Sequence, residues 1–404
     1  MIIILFLVFI INIILGLHLT KKFFNPLTMY NVIWLIVVDL YQLQLSQLQT
    51  DLNNKTLVLF IASTVVFSLS FIFTYKTKLR KNDSIIKNEK QVVTQPTINK
   101  IFVFWLFVEL LEAIYSKGLP IVWKLTGSTK TYMDYGIPSI HGLMNSVGLV
   151  LMMLSFYLIL NTSDKKIKRK NIFIILICML LYLCLITRQV IISAVIQMVI
   201  IYLFTNRKRI NWKKLFILVF VGIIGFGILG NIRTGYESFL SVSLIETKIP
   251  KIFIGFYWVY MYLTMTVANI NNAVILGVNH FGGFAYLAQI YLPTVISNIL
   301  FDTSNLYVPN ILVSQAYTVS GYYIFFYNAF GNLGVYFIAG IYGILGAIFT
   351  KKFQKVNNEE NLLYYAVFMQ IILLSFFYNH LLYLPSGFQL IVIYLIFHFK
   401  LKLK

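Results

Sequence analysis

The sequence predicts an all-α, polytopic transmembrane helical bundle, and three observations support that fold class. First, 59% of the 404 residues are hydrophobic and only 11% are charged, whereas soluble domains carry about 25% charged residues. Second, apolar runs such as 2–17 and 215–229 approach the roughly 20 residues that a helix needs to cross a bilayer. Third, the alternating segments of about 10 residues that are typical of a transmembrane barrel are absent. We expect residues 1–404 to form a single integral membrane domain.

The hydrophobic pattern predicts eleven spans. They cover 2–19, 28–45, 56–75, 100–116, 139–161, 171–187, 189–205, 215–231, 322–350, 361–380 and 387–399. Cytoplasmic loops carry an excess of Lys and Arg, so Lys21, Lys22 and the polar loop 76–100 are predicted to be cytoplasmic. The N-terminus is then outside, and the basic C-terminus is cytoplasmic.

The region 232–321 leaves the number of spans open between eleven and thirteen. It contains two further apolar runs, near 254–277 and 281–301, which either both cross the membrane or both lie at the interface or re-enter. Pro293 interrupts the second run. Irregular backbone at membrane depth is tolerated only where it is buried in protein or lines a cavity. We therefore expect the substrate site in this outer-face region.

Two arginines stand out by position. Only eight of the 33 Lys and Arg residues fall in outer loops, and among these only Arg188 and Arg233 are arginines. The guanidinium fork matches phosphate, and two of them could clamp a diphosphate and stabilise it as a leaving group. The alternative for Arg188 is an interfacial side chain that snorkels. The stripe Gln189, Ser193 and Gln197 either lines a cavity below it or packs against other helices.

Candidates for a general base are the outer acidic residues Asp134, Glu237, Glu246 and Asp302, of which Glu237 is the leading one. Further substrate contacts are predicted for Gln189, Lys248, Asp302, Asn328 and His380. His280 and His380 are predicted at the outer face, where they could serve in acid–base chemistry. Glu109 and Glu112 share one helix face, where they either act in function or pair with neighbours such as Lys117.

Several function classes are excluded by the motifs that the sequence lacks. No two histidines have metal-ligand spacing, so no metal site is predicted. No nucleotide-binding loop occurs, so no cofactor is expected. The net charge of +20 is explained by cytoplasmic loops facing anionic lipid, and nucleic-acid binding is not expected.

Three short segments, in this order and spacing, resemble the O-antigen / oligosaccharide repeat-unit polymerases (Wzy-type). They are 187–189 (Thr-Arg-Gln), which opens an apolar helix, 231–233 (Asn-Ile-Arg), which ends one, and 327–334 (Tyr-Asn-Ala-Phe-Gly-Asn-Leu-Gly), which is similar to the family's "fGxxG" segment. Some family members have an Arg followed eleven residues later by Gly, and here Val199 and Leu244 stand at those positions.

The resemblance implies a metal-independent glycosyltransferase in the bacterial plasma membrane. It would move a growing glycan from undecaprenyl diphosphate onto a new lipid-linked repeat unit at the outer face, with outer-loop arginines on the diphosphates. Partners would be the undecaprenyl-diphosphate-linked oligosaccharide, membrane lipid, a flippase and a chain-length regulator. The related ligases carry an outer histidine before the "GxxG" segment, where Gln315, Tyr317 and Asn328 stand here.

Three alternatives remain open. A lipid-linked-oligosaccharide flippase would have a similar number of spans, although this chain shows no repeated halves. An O-antigen ligase is the second alternative. A proton-coupled transporter using Asp39, Glu109 and Glu112 is the third.

Overall fold

The computed structural model describes residues 1–77, 93–205, 212–245, 250, 253–301, 306, 309–356 and 358–399. Over these residues the chain is helical and contains no strands, which confirms the predicted fold class. Six of its helices are long and apolar enough to cross a membrane. The helices, in chain order, are α1 Ile2–Thr20, α2 Pro26–Tyr41, α3 Asn54–Lys76, α4 Gln95–Ser116, α5 Pro120–Leu125, α6 Ile140–Asn161, α7 Lys165–Cys184, α8 Arg188–Thr205, α9 Trp212–Thr234, α10 Tyr236–Ser243, α11 Ile254–Leu276, α12 Gly283–Tyr291, α13 Thr294–Phe301, α14 Ile324–Lys355, α15 Glu359–Leu373 and α16 Leu384–His398.

The helices group into two compact units. The first comprises Met1–Thr77, Asn211–Lys351 and Ile371–His380, and the second comprises Lys78–Ile210, Lys352–Gln370 and Leu381–Lys404. A helix coincides with each of the eleven predicted spans. The fourth begins earlier than predicted, at Gln95, because Pro96 suits the first turn of a helix. Most of the predicted polar loop 76–100 lies outside the described residues.

An aromatic core built on α2 holds the first unit together. Tyr30 stacks on Phe67 of α3 with ring centroids 4.0 Å apart, and Trp34 stacks on Tyr323 at 5.5 Å. These four side chains are fully buried or nearly so. The Trp34 indole also donates a 3.0 Å hydrogen bond to the Ser375 hydroxyl. Aromatic packing of this kind adds to simple area burial, so α2 and α3 give this unit a fixed frame.

The second unit is built around α6. Helices α4, α7, α8 and α16 all pack against it. Glycines allow the close approach: a Cβ on Gly148 would lie 2.1 Å from the Tyr182 hydroxyl, and a Cβ on Gly142 would lie 2.7 Å from a Leu384 methyl group. Small residues at helix contacts are the usual means of tight packing in membranes. The unit therefore has a central helix with four neighbours.

Helix α11, the first apolar run of the region 232–321, stays beside the connection between α2 and α3. The Tyr260 hydroxyl donates to the Gln49 side chain at 2.8 Å, while Asn271 accepts from the Asn53 N–H at 3.0 Å and the Thr56 hydroxyl at 2.8 Å. Eleven residues of a helix that crossed the bilayer upright would separate those contacts by roughly 16 Å in depth. Gln49 and Asn53 are themselves four residues apart, so these contacts leave the choice between a crossing and a re-entrant course open, and α11 is one of the six helices long and apolar enough to cross.

Irregular backbone in the first unit is anchored by the asparagines of α11. The Asn269 amide donates to the carbonyls of Tyr317 at 2.9 Å and Val319 at 2.7 Å, and it accepts from the Val313 N–H at 2.8 Å. Asn272 donates to the Ile311 carbonyl at 2.9 Å. Non-helical backbone must find such partners inside a membrane protein. The segment 311–319 is therefore anchored to α11 and is not a free loop.

Candidate functional site

Arg188 is a buried residue of the second unit. It begins α8 and is 7% exposed. The turn before it is tight, since Ile186 has a φ of 58° and the Thr187 N–H and hydroxyl both donate to the Tyr182 carbonyl. A side chain this buried is not a snorkelling residue, whose charged head stays in water. The geometry fits a guanidinium held in place by the protein.

The polar stripe after Arg188 turns into the helix bundle. Gln189 is half-buried, whereas Ser193 and Gln197 are buried. The Gln197 amide donates to the Gln389 side chain at 2.8 Å and to the Gln370 side chain at 3.3 Å. The inner part of the stripe therefore packs α8 against α15 and α16, and Gln189 alone among the three keeps substantial exposure.

Arg233 and Glu237 do not share a helix. Arg233 lies near the end of α9, Gly235 follows with a φ of 89°, and Glu237 is an exposed residue in the first turn of α10. The break removes the spacing that would pair the two side chains along one helix. The side chain of Arg233, and the whole of Lys248, Glu246 and Asp302, lie outside the described residues.

Asp134 is unsuited to accept a proton from a sugar. Its carboxylate accepts from the Thr131 N–H at 2.7 Å and from the Thr131 hydroxyl at 3.0 Å. These hydrogen bonds stabilise the ionised form and lower the pKa of the Asp134 carboxyl below its usual range. An efficient general base has a pKa near the working pH, so this residue is poorly suited to the role.

The segment 330–334 breaks α14 into two pieces. Gly331 has a φ of 62° and a ψ of −148°, a backbone conformation that is not helical. A Cβ on Gly331 would lie 2.9 Å from His280 Nε2, and a Cβ on Gly334 would lie 2.2 Å from the Phe326 carbonyl oxygen. The first glycine is needed for the backbone turn and the second for close approach. Glycine at 331 and glycine at 334 are therefore required for different physical reasons.

The break opens onto a cavity of about 630 Å³ in the first unit. Its lining combines the ammonium group of Lys55 and the imidazole of His280 with three asparagines, two glycines and apolar or aromatic side chains. The lining residues are Asn54, Lys55, Val58, Leu59, Val274, Gly277, Asn279, His280, Tyr327, Phe330, Gly331, Asn332 and Leu333. The volume lies within the usual range of ligand pockets.

Two helices present their N-terminal turns to this cavity. Asn54 and Lys55 lie in the first turn of α3, and Gly331, Asn332 and Leu333 lie where the second piece of α14 begins. The Lys55 N–H is already bound by the Asn53 side chain at 2.9 Å, but the dipole of a helix still favours negative charge near its N-terminus. With the ammonium of Lys55 at the same wall, the cavity is electrostatically suited to an anion such as phosphate.

Two predicted substrate contacts lie in the first unit as fully buried residues. The Asn328 amide donates to the Tyr286 hydroxyl at 3.1 Å, and the Asn328 carbonyl accepts from the Phe281 N–H at 2.6 Å. His380 is fully buried. Neither residue lines the cavity, so Asn328 positions the wall that carries His280 and Gly331 rather than contacting a ligand there.

A second cluster of polar side chains lies in the other unit. Glu109, Glu112 and His141 each place one potential metal-ligand atom within 4.8 Å of the others. Spacing between histidines could not reveal this cluster, because only one histidine belongs to it. The cavity was not predicted from the sequence either. The only signals that pointed to it were the glycines at 331 and 334 and the prediction that His280 lies at the outer face.

The chain was compared with protein families, curated proteins and solved structures. No family model, curated protein or solved structure matches it.

Proposed function

We propose that the protein polymerises lipid-linked oligosaccharide repeat units at the outer face of the bacterial plasma membrane. It would transfer the growing glycan from undecaprenyl diphosphate onto the sugar of a new repeat unit. The observation that carries the proposal is the cavity at the Gly331 break, which combines a lysine, two helix N-terminal turns and apolar walls. Such a cavity suits a ligand that joins a diphosphate to a hydrocarbon chain.

The reaction needs no redox chemistry. A hydroxyl oxygen of the acceptor sugar attacks the anomeric carbon of the donor glycan, and a new C–O bond forms. The bond between that carbon and the diphosphate oxygen breaks, and undecaprenyl diphosphate leaves with the electron pair. A base takes the hydroxyl proton. Positive charge near the diphosphate stabilises the charge that develops on the leaving group.

Residue roles follow from position and chemistry. Lys55 and the helix start after Gly331 would hold one diphosphate in the cavity. Arg188 and Arg233 are proposed to bind diphosphates as well, because their guanidinium groups suit that shape. For the base we favour His280 over Glu237, because His280 lines the cavity and histidine is the most frequent general base in enzymes.

The glycan phenotype of a deletion separates the candidate functions. Loss of a polymerase leaves single repeat units on the lipid carrier or its final acceptor. Loss of a flippase removes the surface glycan and leaves intermediates at the inner leaflet, and loss of a ligase leaves unattached polymer. We expect single repeats, measured as the glycan ladder on a gel and restored by the wild-type gene. Either of the other two patterns would contradict the proposal.

Variants then test the cavity. Lys55→Gln removes a charge-assisted contact of about 1.5–3 kcal/mol, so polymer formation should fall about 10–100-fold. His280→Gln should cost about 100-fold or more if His280 is the base. Lys76→Gln, at the opposite end of the same helix and away from the cavity, is the matched control. Arg188→Ala and Arg233→Ala should also shorten the ladder, and a normal ladder would mean that the arginine concerned binds no diphosphate.

A further inference from the structure

Three side chains that could hold a metal ion meet in the second unit. Glu109 and Glu112 lie one turn apart on α4, and His141 lies in the first turn of α6. His141 Nδ1 is 2.7 Å from Glu112 Oε2. One oxygen of Glu109 completes a group whose three atoms all lie within 4.8 Å of one another. The cluster therefore offers two carboxylates and one imidazole nitrogen at a common point.

The carboxylate of Glu109 is buried and accepts no hydrogen bond from the described residues. The residue is 2% exposed, and neither of its oxygens has a hydrogen-bond partner in the described part of the chain. Glu112, by contrast, is bound by His141 and accepts from the Ile137 N–H at 3.4 Å. A buried carboxylate without a partner is costly. Even a fully charged His141 would neutralise only one of the two carboxylates, so the other must either hold a proton or bind a further cation.

The outer loop 117–138 holds the imidazole in place over the carboxylates. A Cβ on Gly136 would lie 2.6 Å from His141 Cγ, and the Gly136 N–H donates to the Ser116 hydroxyl at 2.9 Å. The Tyr135 ring meets the imidazole edge to face with centroids 5.3 Å apart. The His141 side chain keeps 23% exposure while Glu112 has none. The site is thus pre-formed, with one accessible edge.

We infer that this cluster binds one divalent first-row transition-metal cation. His141 Nδ1 and one oxygen each of Glu109 and Glu112 would be the protein ligands, with water completing the coordination. Imidazole together with carboxylate suits Zn²⁺ or Mn²⁺. The cation takes the place of the proton between His141 and Glu112, which is released on binding. It ties α4, the outer loop and α6 together, and the inference does not depend on the proposed glycosyl transfer.

The competing state is a proton on Glu109 in place of the metal, and direct binding distinguishes the two. The full-length protein, purified without a histidine tag and stripped with a chelator, is equilibrated with Zn²⁺ or Mn²⁺ and dialysed. Metal is then counted by mass spectrometry. We expect about one equivalent bound and a rise in Tm of at least about 3 °C at saturating metal. Glu109→Gln and His141→Gln should each lose the bound equivalent and the rise in Tm.

The chain supplies a matched control in the same unit. His398 Nδ1 lies 3.6 Å from Glu360 Oε1, in a pair that is more exposed and belongs to no described group of three potential metal ligands. Glu360→Gln and His398→Gln should keep the bound equivalent. If the wild type binds no metal above background, the inference is wrong whatever the variants do. Metal that remains on Glu109→Gln would place it elsewhere and would equally overturn the assignment.

Discussion

At the scale of single residues, Gly331 is a position where both the backbone conformation and the surrounding atoms disfavour a side chain. Alanine there must adopt a φ of 62° and place its methyl group 2.9 Å from His280 Nε2. Essentially only glycine adopts that backbone conformation, which costs other residues about 1–3 kcal/mol, and the imidazole must also move. We therefore expect Gly331→Ala to lower the Tm and to shorten the glycan ladder, measured by thermal unfolding in detergent and by gel.

Gly340 provides the control within the same helix. A Cβ there would meet the Ser70 hydroxyl at 3.5 Å, an ordinary contact, and the backbone is helical. Gly340→Ala should be neutral or stabilising by up to about 1 kcal/mol, since alanine is the better helix former. If both substitutions gave the same change in Tm and in ladder length, the special role of the Gly331 break would be refuted.

At the scale of elements, α11 acts as a polar support within an apolar bundle. Its sequence Asn269-Ile270-Asn271-Asn272 gives three amides that bind the segments 50–56 and 311–319. The apolar run around these residues predicted a helix correctly. Their partners were not predictable, because contacts between residues some 40–220 positions apart leave no periodic signal in one sequence.

Asn269 tests this support. Leucine fills a similar volume but leaves the carbonyls of Tyr317 and Val319 and the N–H of Val313 without their partner. Buried polar groups left unsatisfied cost about 1–3 kcal/mol. We expect Asn269→Leu to lower the Tm and to speed amide hydrogen exchange across 311–319. Exchange rates in this segment equal to those of the wild type would show that the amide does not anchor it.

At the scale of the whole molecule, the long helices were predictable and the functional surfaces were not. Apolar runs predicted eleven helices because burial in lipid demands continuous hydrophobicity. Their ends were predicted less well: α7 begins at Lys165 and not at 171, and α15 ends at Leu373 and not at 380. Arg188 could be singled out by charge position alone. The cavity depends on a helix break at Gly331, and the cluster of Glu109, Glu112 and His141 depends on His141 lying against Glu112, 29 positions away along the chain. Both arise from tertiary contact, which hydropathy does not encode.

The course of α11 decides how the chain crosses the membrane, and labelling can test it. If α11 re-enters, exposed residues before and after it lie on the same, outer side. Ser241→Cys in α10 and Asn279→Cys after α11, each in a background with Cys178 and Cys184 replaced by Ser, should both react with an impermeant maleimide in spheroplasts. Asp164→Cys, in the predicted cytoplasmic loop before α7, should react only after permeabilisation.

Reaction of Asn279→Cys only after permeabilisation would mean that α11 crosses, because opposite ends of a spanning helix face opposite compartments. The cavity beside Asn279 would then face the cytoplasm, where the outer-face reaction proposed above could not take place.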